Sequence, residues 1–236
     1  MTDQSFIRFG GLAGILLALT SWASVAAYFA FVPTAQQLPA TNPTAFLDSL
    51  AQNSFGTQLF YGLYALIAAW AVVGIVAMYY RVRGTAEPWA FFAMLIGLSG
   101  SFLTIVNGIQ QLAFFRYLAA VYPTAQDFGR LAFASPAPLN PLNLTTQGLT
   151  APWFLIMGVL MLRSDFPKLL AYLGFVAFAD LAAGFIASLL GLGLVANGTA
   201  LIAGAVGGPV FWLWLGWRLW RETEPARVKM TAPAHA

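Results

Sequence analysis

The sequence predicts an all-α membrane protein, built as a six-transmembrane-helix bundle with two longer outer loops. Three observations lead to this fold class. Hydrophobic residues make up 60% of the 236 residues, charged residues only 8%, and the mean hydropathy is +0.76, a composition foreign to soluble domains of this size. Several apolar segments reach the roughly 20 residues that a helix needs to cross about 30 Å of hydrocarbon. The basic residues fall asymmetrically between those segments.

The apolar segments predict six spans within a single domain, residues 1–236. They lie at about 10–32, 58–80, 88–113, 148–163, 169–191 and 199–220, and a cytoplasmic tail of residues 221–236 follows. The fourth span is the shortest, about 24 Å at helical rise, and Pro152 suits its first turn. It is short enough to begin below the outer surface of the membrane.

Positive charge between the spans predicts their orientation, because Lys and Arg are retained on the cytoplasmic side. With the N-terminus inside, nine basic residues lie in the cytoplasm and two outside, which supports an N-in/C-in topology. The inner group is Arg8, Arg81, Arg83, Arg163, Lys168, Arg218, Arg221, Arg227 and Lys229, and the outer pair is Arg116 and Arg130. We expect an integral protein of the bacterial cytoplasmic membrane. A nucleic-acid partner is excluded because the sequence has no folded basic patch.

Most enzyme chemistry is missing from the sequence. Cysteine is absent, and the only histidine is His235 near the C-terminal end. This excludes thiol chemistry, disulfides, haem or zinc held by histidine, and a Ser-His-Asp arrangement. The one carboxylate inside a span has no second acid or base beside it. We therefore expect a non-catalytic protein with no metal and no cofactor.

That carboxylate is Asp180, in the middle of LLAYLGFVAFADLAAGFIASLLG, residues 169–191. A charge at the bilayer centre costs at least about 2.5 to 3.5 kcal/mol, so it is rarely there without a role. No Lys or Arg inside a span can pair with it. Burial without a partner favours the neutral acid, so we expect Asp180 to be often protonated and to donate a hydrogen bond.

The fifth span has a small-residue face and a bulky face, and Asp180 belongs to the small one. The small face is Ala177, Ala183, Gly184, Ala187, Ser188 and Gly191, and the bulky face is Phe175, Phe178, Phe185 and Leu189. Small residues permit close helix approach, so we expect Asp180 to point into the bundle and the bulky residues to face lipid.

The third span carries a polar stripe with spacings of three and four residues, which hold it on one helical face. Its members are Ser101, Thr104, Asn107 and Gln111, running from mid-depth to the outer interface. Such a stripe either bonds neighbouring helices or lines a water-filled vestibule. Ser21 and Trp22 of the first span lie at a similar depth.

The sixth span contains Gly207, Gly208 and Pro209 near its centre. Proline has no N–H, so the carbonyl of Ala205 loses its helical partner. The alternatives are a broken helix at a binding site, as in transporters, and a packing kink. Ala200, Gly204 and Gly208 form a small-residue seam, so spans five and six could also support an oligomer.

Counting residues along the helices brings one candidate site together near the midplane. Its members are Asp180, Ser101, Thr104, Asn107, Gln111, Ser21, Trp22, Gly207, Gly208 and Pro209. Three roles remain open for Asp180: coupling of proton movement to a substrate, tying two helices together as a neutral acid, or contacting a ligand.

The two longer outer loops suggest structure of their own. In residues 33–57, TAFLDSLAQ predicts a short helix with Phe46, Leu47 and Leu50 on one side, either lying on the membrane or covering an outward-facing cavity. In residues 116–147, four prolines forbid a continuous helix: Pro123, Pro136, Pro138 and Pro141. Phe128, Leu131 and Phe133 still require burial, so we expect this segment to fold back against the bundle.

Three stretches of the chain are similar to a bacterial family of six-helix integral membrane proteins of unknown function. They are NPTAFLDSLAQNSFGTQLFYGL, PWFLIMGVLMLRSDFPKLLAYLGFVA and GPVFWLWLGWRLWRE. The resemblance implies a six-helix bundle and no established chemistry, so it assigns no functional residues.

Two functions follow from these observations. The first is a non-catalytic membrane protein that binds a lipophilic small molecule, a lipid or a partner subunit within the bundle. The second is a small-molecule transporter, with proton coupling through Asp180 as one form of it. Many transporters contain internal repeats, and the unequal outer loops of this chain favour the first function.

Overall fold

The computed structural model describes residues 3–37, 42–134 and 144–222, and these residues are helical without any strand. The elements are α1 (Asp3–Phe31), α2 (Thr34–Gln37), α3 (Pro43–Gln52), α4 (Phe55–Val82), α5 (Glu87–Val121), α6 (Gln126–Ala134), α7 (Leu144–Leu162), α8 (Lys168–Leu189), α9 (Gly193–Ile202), a π-helical segment (Ala203–Gly207) and α10 (Gly208–Arg221). The tail beyond residue 222 and Pro136, Pro138 and Pro141 lie outside the described residues.

Five helices are long and apolar enough to cross a membrane. They are Asp3–Phe31, Phe55–Val82, Glu87–Val121, Lys168–Leu189 and Gly198–Arg221, the last running through α9, the π segment and α10. The all-helical fold is thus confirmed, together with five of the apolar spans. At the fourth predicted span, the apolar helix Thr146–Leu162 is shorter than the other five.

The long helices form a ring. Helix α1 packs between α10 and α4, α4 packs on α5, α5 on α7, and α7 on α8. Helix α8 closes the ring through α9, the π segment and α10. This order decides which polar faces can meet inside the bundle.

Aromatic rings fill the centre of the bundle. The indoles of Trp153 and Trp212 stack with centroids 5.3 Å apart and planes 10° apart, and Phe154 and Phe211 pack edge-on around them. Glycines on two neighbouring helices make room for the pair. A Cβ at Gly74 would lie 2.6 Å from the Trp212 ring, and one at Gly97 would lie 2.6 Å from the Trp153 ring. Trp153 is only 1% exposed.

Charged side chains join the helix ends at one end of the bundle, which we call the charged end. Arg81 at the end of α4 pairs with Asp165 in the α7–α8 turn and with Glu222 after α10, and Arg83 pairs with Asp3 at the start of α1. The start of the first long helix and the end of the last one therefore lie at the same end of the bundle.

The opposite end, which we call the cap end, carries a second apolar cluster. Phe46, Leu47 and Leu50 of α3 are at most 2% exposed and pack against Phe115 and Leu118 of α5. Since the apolar side of α3 is buried in protein, α3 does not use it to lie on a membrane. The predicted short helix is confirmed, but its membrane-lying interpretation is wrong.

Helix α5 continues past the predicted span end at residue 113 because this cluster supports it. At 35 residues it is about 52 Å long, well beyond the hydrocarbon thickness. Helix α6 folds back on the same cluster, where Phe133 stacks on Phe46 with centroids 4.8 Å apart. Phe128 and Leu131, however, are 50% and 70% exposed, so their predicted burial is wrong.

A buried glutamine connects the short helices α2 and α3 at the cap end to α4. Gln36, 5% exposed, donates from Nε2 to Ser49 Oγ at 3.0 Å and to the Asn53 carbonyl at 2.8 Å. Thr57 Oγ1 donates to Gln36 Oε1 at 2.6 Å. Both ends of the amide are satisfied, which links α2, α3 and α4 in one network.

Candidate functional site

Helix α8 presents Asp180 to the interior, as its small-residue face predicts. Ala177, Gly184 and Ala187 on that face are buried. Asp180 is half-buried, and its Oδ2 is fully enclosed without a hydrogen-bond partner among the described residues. An enclosed acceptor without a donor is costly in a folded protein, so this atom marks a place where a further group is expected.

Of the bulky face of α8, Leu189 is 60% exposed as predicted, but the three phenylalanines do not point to lipid. Phe175 fills a space over Gly158 of α7, where a Cβ would be 2.6 Å from its ring, and Phe185 lies over Gly148 in the same way at 3.1 Å. Phe178 packs against the central core. The Phe175 and Phe185 rings thus occupy space left by glycines of α7. The sequence of α8 alone does not show where α7 lies.

The polar stripe of α5 faces inward, in agreement with its spacing. Ser101 and Thr104 are each 7% exposed, Asn107 is 4% exposed, and Gln111 is half-buried nearer the cap end. The Thr104 hydroxyl donates to the Gly100 carbonyl at 2.8 Å and lies 3.2 Å from Thr146 Oγ1 on α7. The stripe thus links α5 to α7.

Sequence reasoning missed Gln147, because the fourth span was predicted to begin at residue 148. Helix α7 begins at Leu144 and carries Gln147 into the bundle, where it is 7% exposed and its Oε1 has no hydrogen-bond partner among the described residues. A Cβ at Gly184 would lie 3.5 Å from the Gln147 amide and 2.6 Å from Thr199 Oγ1. Gln147 and Thr199 therefore converge on α8, one turn from Asp180.

Tyrosines of α4 were missed as well. Tyr61 and Tyr64 are both half-buried. The Tyr64 phenol on α4 lies beside the Thr104 hydroxyl. Helix α4 therefore contacts the same set of buried polar side chains, which we call the polar layer: Ser101, Thr104, Asn107 and Gln147. Only the packing of α4 against α5 reveals this.

The expected break in the sixth span is a π-helical segment. The Gly208 N–H donates to the Ala203 carbonyl, and a Cβ at Gly208 would lie 2.8 Å from that oxygen, so glycine is required there. The backbone stays helical, so of the two alternatives the broken helix is wrong. Pro209 is buried, and Gly207 is half-buried within the π segment. A π segment accommodates the missing proline donor while the helix continues.

The predicted orphan carbonyl of Ala205 has a partner on α1. Trp22 Nε1 donates to it at 3.0 Å, although the Trp22 side chain is 37% exposed. Ser21, the adjacent residue, is 6% exposed and donates to the Leu17 carbonyl of its own helix. Trp22 therefore joins α1 to the π segment, and Ser21 lies buried beside it.

The π segment lies at the level of Asp180. Gly174 of α8 lies against Phe211 of α10. Six residues toward the cap end from Gly174, about 9 Å along the helix, is Asp180. Six residues toward the cap end from Phe211 is Ala205 of the π segment. Helix α8 is in contact with the π segment. The structure thus brings α8, the π segment and Trp22 together, and separately brings Thr104 to Thr146 and Gln147 to Gly184. No hydrogen bond joins Asp180 to the α5 stripe among the described residues.

Replacing Trp22 by phenylalanine is expected to lower the free energy of unfolding by about 1 kcal/mol, because the Ala205 carbonyl loses its donor in an apolar setting. The matched control is Trp89→Phe. The Trp89 ring is 58% exposed and contacts Phe92, so that change is expected to cost less. Thermal unfolding of both variants in one detergent measures the difference. Equal midpoints for the two variants would show that the Trp22 hydrogen bond contributes nothing.

With this geometry established, comparison with known proteins adds no further information. The sequence matches no protein-family model, and searches of curated proteins and of solved structures give no significant match. The resemblance to a six-helix family therefore gains no support, and functional argument rests on the residues of this chain.

Proposed function

We propose that this chain is an integral protein of a bacterial cytoplasmic membrane, with six transmembrane helices and both termini in the cytoplasm. In addition to the five long helices, α7 is the remaining crossing, and it packs between α5 and α8 in the ring. Its shortness is compatible with a crossing because its first turn already carries the buried Gln147 in the bundle interior. The charged end, with Arg81, Arg83 and Lys168, is the cytoplasmic side by the positive-inside rule.

Within this bundle we propose a binding site for a lipophilic small molecule, centred on Asp180. The observation that carries the proposal is the enclosed Asp180 Oδ2, which has no hydrogen-bond partner among the described residues. On the neighbouring helix α7, Gln147 supplies a second enclosed polar group one turn away, and the Trp22 ring and the π segment lie at the same level. Apolar walls with a few convergent polar groups are typical of small-molecule sites.

A lipid or a partner subunit would bind at the outer surface of the ring. Gly204, in the small-residue seam of the last span, has open space where a Cβ would be, so that seam is unused by the chain's own helices. The polar layer is inside, and we therefore favour an internal ligand. Any oligomer formed through the seam would leave the Asp180 site unchanged.

The test is native mass spectrometry of the full chain purified from its own membranes in a mild detergent. We expect a bound mass on the wild-type protein that is lost in Asp180→Leu, whose side chain has a similar volume but no acceptor. The matched control is Ser99→Leu, because Ser99 is exposed on the other side of α5 and should leave the bound mass unchanged. The measured mass distinguishes a small molecule, a lipid and a protein subunit. A bound species retained in Asp180→Leu would contradict the proposal.

Proton-coupled transport is the second candidate, and the π segment beside Asp180 favours it, since π segments recur at functional sites. A transporter should carry its substrate across proteoliposomes at a rate that depends on pH, and Asp180→Asn should abolish that dependence while preserving the fold. Binding without flux in the same proteoliposomes would assign the protein to the first function.

A further inference from the structure

Two enclosed acceptor atoms lie on neighbouring helices, and neither has a donor among the described residues. They are Gln147 Oε1 on α7 and Asp180 Oδ2 on α8. Gln147 is 7% exposed and lies against Gly184, which is one helical turn from Asp180 on the same face. A single ligand group between α7 and α8 could therefore serve both oxygens.

Several side-chain donors of the neighbouring helices already donate to backbone carbonyls. A threonine or serine hydroxyl has one proton to donate, and three of them bond carbonyls of their own helices: Thr104 to Gly100, Thr199 to Ala196 and Ser21 to Leu17. The Trp22 N–H is used by the Ala205 carbonyl. These hydroxyls can still accept hydrogen bonds, so they offer acceptor oxygens to a ligand.

Positive charge is also missing at this depth. Lys168, the basic residue of α8, lies twelve residues from Asp180, about 18 Å along the helix. Arg163 and Arg218 lie near the ends of α7 and α10, at the charged end. At these distances no side chain of α7, α8 or α10 can pair directly with the carboxyl group of Asp180.

We propose that the site takes the ammonium group of a lipophilic primary amine, an inference that rests on the proposed binding function. An ammonium group has three donors and no acceptor, which matches two enclosed acceptors and the hydroxyl oxygens beside them. Its charge forms stronger hydrogen bonds with a carboxylate than a neutral donor does. The apolar body of the amine would lie beside the Trp22 ring and the π segment, which are at the level of Asp180.

The test compares two probes of nearly equal shape, 2-phenylethylamine and 2-phenylethanol, by titration calorimetry on the full chain in mild detergent at neutral pH. We expect the wild-type protein to bind the amine at least about tenfold more tightly than the alcohol. Asp180→Asn should bring the two affinities together. Ser99→Leu, on the other side of α5, should keep the wild-type preference.

A second variant keeps the inference testable if Asp180→Asn does not fold. Gln147→Leu removes the other enclosed acceptor and should weaken amine binding several-fold, with a smaller effect on the alcohol. Unchanged amine affinity in Gln147→Leu would overturn the shared-ligand geometry.

The remaining outcomes separate this inference from the proposed function. Equal wild-type affinities for both probes, or an amine preference that persists in Asp180→Asn, would overturn the amine inference and leave a lipophile site in place. Heat released by sodium chloride, with none released by the amine, would assign the acceptors to an inorganic cation and overturn it as well. Binding of neither probe, together with a bound mass retained in Asp180→Leu, would overturn both proposals.

Discussion

Replacing Gly216 by alanine is expected to lower the stability of the bundle strongly. The Cβ of that alanine would lie 2.6 Å from the Gly11 carbonyl oxygen and 2.7 Å from the Ile15 backbone N. Both atoms belong to the main chain of α1, so no side-chain rotation can relieve the contact. The two helices would have to separate, and overpacking of this kind costs about 1 to 3 kcal/mol or more.

The matched control for this prediction is Gly204→Ala. A Cβ at Gly204 would meet nothing within 4 Å, and alanine favours a helix over glycine by about 0.5 to 1 kcal/mol. We therefore expect Gly204→Ala to be neutral or slightly stabilising, and Gly216→Ala to lower the unfolding midpoint in the same detergent. Equal midpoints would mean that α1 and α10 do not pack through Gly216.

Replacing Arg81 by methionine is expected to produce the second large effect. Arg81 Nε donates to both carboxylate oxygens of Glu222 at 2.8 and 2.7 Å, and Nη2 donates to Asp165. The side chains of Arg81 and Glu222 are only 13% and 14% exposed, and the guanidinium also lies over the Phe166 ring. Methionine would leave a largely buried carboxylate unpaired, at a cost of about 2 to 3 kcal/mol, below that of a fully buried pair.

Arg83→Met is the control for Arg81, because it breaks a similar pair in an exposed setting. Arg83 and its partner Asp3 are 40% and 61% exposed, and such surface pairs contribute about 0 to 1 kcal/mol. Unfolding in denaturant should therefore separate the two variants clearly. An Arg83→Met effect as large as that of Arg81→Met would contradict the structural difference between the pairs.

The ionisation of Asp165 decides the pH range in which the Arg81 and Arg83 variants should be compared. Burial of Asp165 favours its neutral form, but the hydrogen bond and charge of Arg81, with a further contribution from Arg218, outweigh it and lower the pKa of the carboxyl. A lowered pKa in the folded state contributes stability above the ordinary pKa of the group, and that stability is lost as the pH falls through the folded value. Between pH 5 and 8 the Asp165 contribution should thus stay constant, and it should fade only below about pH 4.

Predictions made from one helix at a time agreed with the structure when they concerned that helix alone. The spacing of Ser101, Thr104 and Asn107 predicted a common inward face, and all three are buried. The missing donor of Pro209 predicted an orphan carbonyl at Ala205, which is the carbonyl that Trp22 binds. Periodicity and backbone chemistry act within a few residues, so the sequence contains them directly.

Predictions that required knowledge of a neighbouring helix often failed. Phe175 and Phe185 were expected to face lipid, but Gly158 and Gly148 of α7 provide space for their rings. Gln147 and Tyr64 were overlooked because only the order of helices in the ring places Gln147 in the polar layer and Tyr64 beside it. The unbroken course of α5 past residue 113 likewise depends on its contacts with α3.

For Asp180, the feature on which the proposals depend, sequence and tertiary structure each determined a part. The sequence by itself determined that a lone carboxylate lies inside an apolar helix, on its small-residue face and far from any basic side chain, because these properties follow from composition and helical spacing. Only the tertiary structure decided its surroundings: an enclosed oxygen without a donor, Gln147 one turn away, and a π segment at the same depth. The physical reason is that hydrogen-bond partners and glycine spaces belong to pairs of helices, and pairing is decided by how whole surfaces fit together.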